Sequence, residues 1–277
     1  MTIVLIGPVC EDLIIVGGNK NLKVGGASYF QSFVYEEFYN DYIVITNTSK
    51  ESLLNNFPDK SKVKILLKDD THYFVNEYPN PDNLDIRKQS SNFPDIPILK
   101  NDLEKIFSDL NLKGMNIDAF VLTPLNSYDF PIETFDYLKS FNLPIYLSLQ
   151  GFLRFRGKDG SIQLMLSNDL ECILDSIDGL FLDESEYEII RELNLNVDEL
   201  VITNGSNGSW IINKDNGECI IDAVYCEDIV DATGCGDTYM ASYISQRLNG
   251  KSIEESGNFA SLIASRKLSV SGPYRFK

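Results

Sequence analysis

The chain has 277 residues, 43% of them apolar, and a formal charge of −17, which is enough length and apolar content for one sizeable α/β core. That charge argues against a nucleic-acid backbone or an anionic membrane as partner, and no apolar run approaches the roughly 18 residues of a membrane helix. A single histidine, His72, leaves almost no room for Ser-His-Asp or Cys-His hydrolase chemistry and reads as an ordinary strand or lid residue.

The opening Met-Thr-Ile-Val-Leu-Ile-Gly lacks a basic n-region and reads as a buried strand over 3–6 ending at Gly7, not as a signal peptide. Gly17-Gly18 and Gly25-Gly26 punctuate a short hairpin or loop. Helical spacing follows over 27–38, then a strand over 42–46. Strands over 63–67 and 71–75 flank Lys68-Asp69-Asp70, which reads as a hairpin-like turn. Pro79, Pro81, Pro94 and Pro97 mark a long irregular connection. Strands over 119–122, 145–149, 179–182 and 200–203 then alternate with helical patterns, which predicts a mostly parallel, doubly wound sheet with helices on both faces. A hairpin over 210–221 and two helices close the chain. Five cysteines, at 10, 172, 219, 226 and 235, are scattered without a CxxC pair, as expected of reduced thiols in a cytoplasmic protein without structural zinc.

The stretch with the most chemical content is Asp231-Ala232-Thr233-Gly234-Cys235-Gly236-Asp237, which opens a helix carrying Met240, Ala241, Ile244 and Leu248 at helical spacing. A glycine turn at a helix start aims free N–H groups and the positive dipole end at one spot, which favours an anion. Asp237 reads either as helix-start charge or as a base set beside that anion. Gly250-Lys251-Ser252 imitates the end of a P-loop, but the glycine needed five residues earlier is Ser245, and the tripeptide follows a helix.

These seven residues resemble the Asp-x-Thr-Gly-x-Gly-Asp signature of the ribokinase-like (PfkB) sugar and nucleoside kinases. The resemblance extends over nearly the whole chain, specific in its carboxyl half and loose in its amino half. It implies a ribokinase-like α/β fold in one domain over 1–277, with a small β lid from segments near 10–24 and 63–90. It further implies transfer of the γ-phosphate of ATP, with Mg²⁺, to a hydroxyl of a small sugar, polyol or nucleoside. Asp237 would be the base, and the Gly234, Cys235 and Gly236 amides the anion hole beside Thr233. Asp12 with Gly25 and Gly26 is similar to the substrate end, although Asp12 also reads as a surface turn residue. Asp183 and Glu186 resemble the family's magnesium-organising pair and equally fit a helix capping box. Thr203, Gly205 and Gly208 resemble the nucleotide loop and also fit a hairpin turn. Asn258 begins a helix that in relatives lies along the adenine pocket. Residues 71–89, with Asn76, Arg87 and Gln89, and 150–154, with Gln150 and Arg154, resemble a smaller branch that includes inositol kinase-like members. Arg154 would meet an anionic group or pair with a surface carboxylate. Phe30 and Ser148 depart from the family pattern, where many relatives carry an asparagine and an aspartate. Activation by a monovalent cation and a homodimer through the lid are left open. The competing class is a nucleotide or metabolite sensor on the same fold; an NAD dehydrogenase fails for want of Gly-x-Gly-x-x-Gly after the first strand.

Overall fold

The computed structural model describes residues 2–79, 88–111, 114–167 and 169–275. Arg87 and Pro81, singled out above, lie outside the described residues.

Numbered in chain order, the strands are β1 (Thr2–Ile6), β2 (Cys10–Val16), β3 (Asn19–Gly25), β4 (Tyr42–Thr48), β5 (Val63–Leu67), β6 (His72–Tyr78), β7 (Lys88–Ser91), β8 (Ile117–Leu122), β9 (Ile145–Ser148), β10 (Arg154–Arg156), β11 (Ile162–Leu164), β12 (Gly179–Asp183), β13 (Glu199–Thr203), β14 (Ser209–Asn213) and β15 (Gly217–Ile221). The helices are α1 (Ala27–Phe38), α2 (Lys100–Asp109), α3 (Ile132–Lys139), α4 (Gln150–Leu153), α5 (Leu170–Leu174), α6 (Glu184–Ile190), α7 (Cys235–Leu248) and α8 (Ile253–Leu268).

Nine strands form one sheet in the order β15-β14-β13-β12-β9-β8-β1-β4-β5. It is parallel from β5 to β13, and the β14–β15 hairpin closes one edge antiparallel. Side chains alternate across a strand, so β1 sends Ile3 and Leu5 into the core shared with α1, α7 and α8. Its Val4 and Ile6 go into the opposite core, with Leu103, Phe135 and Ile190 of α2, α3 and α6. The predicted doubly wound architecture is therefore present, with apolar strand runs because both faces are covered.

A second sheet, ordered β3-β2-β6-β7, forms the lid. Lys68–Asp70 is not a hairpin turn, because β5 pairs β4 in the large sheet (Val44 opposite Val63) whereas β6 pairs β2 in the lid (Cys10 opposite His72). The lid on this side starts at β6, not at residue 63. A short polar link between two apolar strands fits a crossing between sheets as well as a hairpin, and the buried Val63 decides for the large sheet.

The register of the lid places Asp12 opposite Phe74, Ile14 opposite Asn76, and Asn76 opposite Gln89. With a side-chain period of two, Asp12, Phe74, Asn76 and Gln89 share the underside of the lid. Near the chain end, Gly250 takes a left-handed φ of 80° after α7, and Ser252 caps α8 in a reciprocal pair with Glu255. The Gly-Lys-Ser tripeptide is thus a helix–helix joint. It also places Asn258 in the second turn of α8, not at its start, with its side chain exposed.

Candidate active site

A cavity of ≈ 320 Å³ lies between the underside of the lid, the carboxyl ends of the parallel strands and the start of α7. That is where an open parallel sheet collects ligands, and the size suits a small molecule.

The turn before α7 forms its base. Gly234 caps the helix at φ 80°, a conformation that disfavours any residue with a Cβ. A Cβ there would also lie 2.3 Å from the Phe30 ring, so Phe30 fills the space beneath the turn and lines the cavity. Of the three N–H groups expected to form an anion hole, that of Cys235 is already taken. The Cys235 N–H donates to the Ala232 carbonyl at 3.2 Å and closes the turn, and its thiol faces the Ala264 carbonyl at 3.8 Å. Burial pushes that thiol up to about 11, so it stays protonated and inert. Gly234 and Gly236 line the cavity beside Thr233, and their N–H groups have no backbone acceptor among the described residues.

Asp237 sits in the first turn of α7 and faces the cavity. Burial pushes its carboxyl up to about 6; Arg154 pulls it down and Asp12 pushes it up. Asp12 lines the cavity from β2, and Gly25 opposite Cys10 leaves room for it, since a Cβ at Gly25 would lie 2.0 Å from the Asp12 Oδ2. Gly26 turns the chain into α1 at φ 102°, with the Pro8 carbonyl 2.7 Å from where its Cβ would be. Arg154 is buried, not a surface partner, and its guanidinium stacks 5.4 Å from the Phe74 ring centre. Gln150 and Ser148 join the same wall.

Asp183 and Glu186 form the capping box that was one of the two readings offered for them. Asp183 accepts from the Glu186 N–H at 2.9 Å, and Glu186 accepts from the Asp183 N–H at 3.0 Å, so they are a capping box. Both also line the cavity. Glu186 is nearly fully buried, and desolvation together with the Asp183 charge pushes its carboxyl up to about 7. Of the predicted nucleotide loop only Thr203 reaches the cavity; Gly205, Gly208 and Asn258 do not line it. Gly208 is required by packing, because a Cβ there would lie 2.0 Å from the Ile221 carbonyl.

His72 is buried at the top of β6, with its Nε2 3.1 Å from the Asp129 Oδ1. Asp129 in turn accepts from the Leu125 and Asn126 N–H groups and fixes that loop. The lid residue expected from the sequence is thus a structural one. Phe74, Asn76 and Gln89 line the cavity although the sequence assigned them no role; the Gln89 side-chain nitrogen donates to Asn76 Oδ1 at 2.8 Å. The period-two alternation along β6 was the signal that could have found Phe74 and Asn76.

Residues 178–276 match the family described as pfkB family carbohydrate kinase. No curated protein sequence matches the chain. The fold is that of solved ribokinase-family kinases. A pyrophosphate-dependent kinase in the ribokinase family, solved as a sulfate complex, superposes with a TM-score of 0.79 at 21% identity, covering 98% of this chain and 96% of that one. A pyrophosphate-dependent kinase of that family complexed with a pyrophosphate analogue and myo-inositol gives 0.75 at 20% identity, over 98% and 96%. Ribokinase of Arabidopsis thaliana complexed with ribose and ATP gives 0.70 at 18% identity, over 98% and 93%.

Proposed function

We propose that the chain transfers a phosphoryl group to a hydroxyl of a small sugar, polyol or nucleoside, with Asp237 as the base. The observation that carries this reading is Asp237 itself, a carboxylate raised to about 6 beside two unspent glycine amides in one cavity. The acceptor hydroxyl lies under the lid, held by Asp12 and the amides of Asn76, Gln89 and Gln150. Asp237 accepts its proton as the oxygen attacks, and the Gly234 and Gly236 N–H groups face the charge on the transferring group. The lid and the apolar walls of Phe30, Phe74 and Leu125 exclude water, which would otherwise compete as acceptor. The sensor reading loses ground because Asp237, the two glycine amides and Asp12 all meet in the one cavity, an arrangement that a site binding without chemistry does not need.

Asp183 and Glu186 fit a hydrated Mg²⁺. Glu186 is a buried carboxyl whose charged form burial disfavours, and a cation in the cavity would restore that charge. Among the described residues no group of three acidic, histidine or cysteine side chains could hold a metal directly, which suits an ion held largely through water and donor phosphates. When bound, such an ion neutralises donor charge.

ATP is the donor we propose, its phosphates at the glycine turn and its base toward Gly205, Gly208 and α8. Pyrophosphate is the second reading, favoured because the cavity takes in Thr203 but none of those outer residues. Assaying both donors side by side decides between them: ADP formation supports the first, acceptor-dependent release of phosphate from pyrophosphate the second. Free thiols throughout suit work in the cytoplasm. The outer lid strand β3, with Leu22 exposed, is where a homodimer would pair.

The acid limb of the rate profile is expected near pH 6. Below it Asp237 is protonated and cannot accept; above it the rate reaches a plateau. Arg154 lowers the Asp237 pKa, so Arg154→Met should move the limb to higher pH. Asp12 raises it, so Asp12→Asn should move the limb to lower pH. Profiles of kcat/KM for the three proteins check both directions, and limbs that stay together would remove Asp237 as the titrating group.

A further inference from the structure

Lys267 is fully buried, in the last turn of α8. A lysine ammonium is strongly hydrated and costly to bury unless its protons find acceptors. Its Nζ donates to the Asp231 carbonyl at 2.7 Å and to the Val270 carbonyl at 3.3 Å. Burial holds its pKa below the usual lysine value, while Cys235 and Asp231 work the other way. Two backbone carbonyls turned onto one buried charge are the kind of donor that also takes a desolvated monovalent metal ion.

The other end of Asp231 meets a second ammonium. Lys23, on lid strand β3, lies 3.3 Å from Asp231 Oδ2 and 2.9 Å from Ser271 Oγ. The same carboxylate accepts from the Thr233 N–H at 2.9 Å and the Gly272 N–H at 3.2 Å. Leu268, at the end of α8, accepts from the Val230 and Asp231 N–H groups. Asp231 is therefore the anchor of the turn, and the two lysines hold it from both sides. The peptide whose carbonyl Lys267 grips continues into the N–H of Ala232, which lines the cavity, and a hydrogen bond to one end of a peptide strengthens donation at the other.

We infer that Lys267, with Lys23 across Asp231, is a built-in cation that orders and polarises the phosphate-facing turn from within the chain, in place of a bound monovalent metal ion. Lys267 is a positioning residue, and its role rests on the reading of the turn as a phosphate site. Transfer in this protein accordingly needs no added potassium.

The test uses the full chain and two readouts. Backbone amide exchange over 230–236 is compared in wild type and Lys267→Met, with and without ammonium chloride. The variant should exchange ~10-fold faster or more there, and ammonium, but not tetramethylammonium, should restore the protection. Turnover should fall ~10- to ~10²-fold through the misplaced turn, with KM for the acceptor little changed, and should recover with ammonium. Wild type should work equally in potassium and tetramethylammonium salts. Unchanged exchange in the variant, loss that ammonium does not repair, or a several-fold stimulation of wild type by potassium would overturn the inference. If Lys267→Met does not fold, the wild-type salt comparison and Lys23→Met, made at the partly exposed side of the same anchor, decide in the same terms. If no donor and acceptor give turnover, the kinase reading fails while the exchange experiment still judges the lysine.

Discussion

Asp237→Asn leaves acceptor binding near wild type and lowers turnover by ~10²–10⁴-fold, the usual worth of a positioned base. Asparagine keeps the size and the place at the start of α7 but cannot take a proton. The substitution also removes a carboxylate that burial already holds at about 6, so the fold should not suffer. Calorimetric binding of the acceptor beside steady-state rates separates the two effects. Loss of binding with turnover per bound acceptor intact would mean that Asp237 holds the substrate and does not deprotonate it.

Gly234→Ala acts through geometry. The left-handed backbone at φ 80° costs an alanine ~1–2 kcal/mol. Contact with the Phe30 ring adds an overpacking cost of ~1–3 kcal/mol, because that ring is buried and already held edge-on by Tyr29 at 5.5 Å. The melting temperature should drop by about 2–4 °C for each kcal/mol. Turnover should fall ~10²-fold or more as the turn shifts by about 1 Å. Measured in a Phe30→Ala background, which is itself destabilised by the lost core ring, Gly234→Ala should cost only the backbone part. Gly236→Ala is the contrast: a Cβ there meets open space, so it should fold as wild type and obstruct only what enters the cavity. Equal melting temperatures for Gly234→Ala and wild type would contradict this account of the turn.

The large sheet was legible because its strands are buried on both faces and write themselves as apolar runs separated by helical periods. The glycine turn was legible because few local structures need glycines flanking one residue at the head of a helix. Lys68–Asp70 misled because a polar tripeptide carries no record of which sheet its flanks join. The Cys235 amide misled for a similar reason: residue type shows that a turn exists, and only the backbone shows which N–H closes it. Asp183 and Glu186 were read as either a capping box or a magnesium-organising pair, because the same spacing serves both; the backbone shows the box, and the metal role stays a proposal. Arg154 was left between surface and site; its burial against Phe74 depends on β6, some eighty positions away in the chain. Lys267 gave no signal at all, since a lysine in the last turn of a helix is ordinary in sequence and only the approach of Asp231 makes it a buried ligand.

The central claim is phosphoryl transfer to a hydroxyl that depends on Asp237. Phosphorus NMR of reactions with Mg-ATP and with pyrophosphate, against a panel of polyols, sugars and nucleosides, tests it directly. The account predicts a new phosphomonoester resonance with one class of acceptor in wild type, reduced ~10²-fold or more in Asp237→Asn. A donor that binds with no phosphomonoester from any acceptor, or an ester formed equally by the variant, would contradict it.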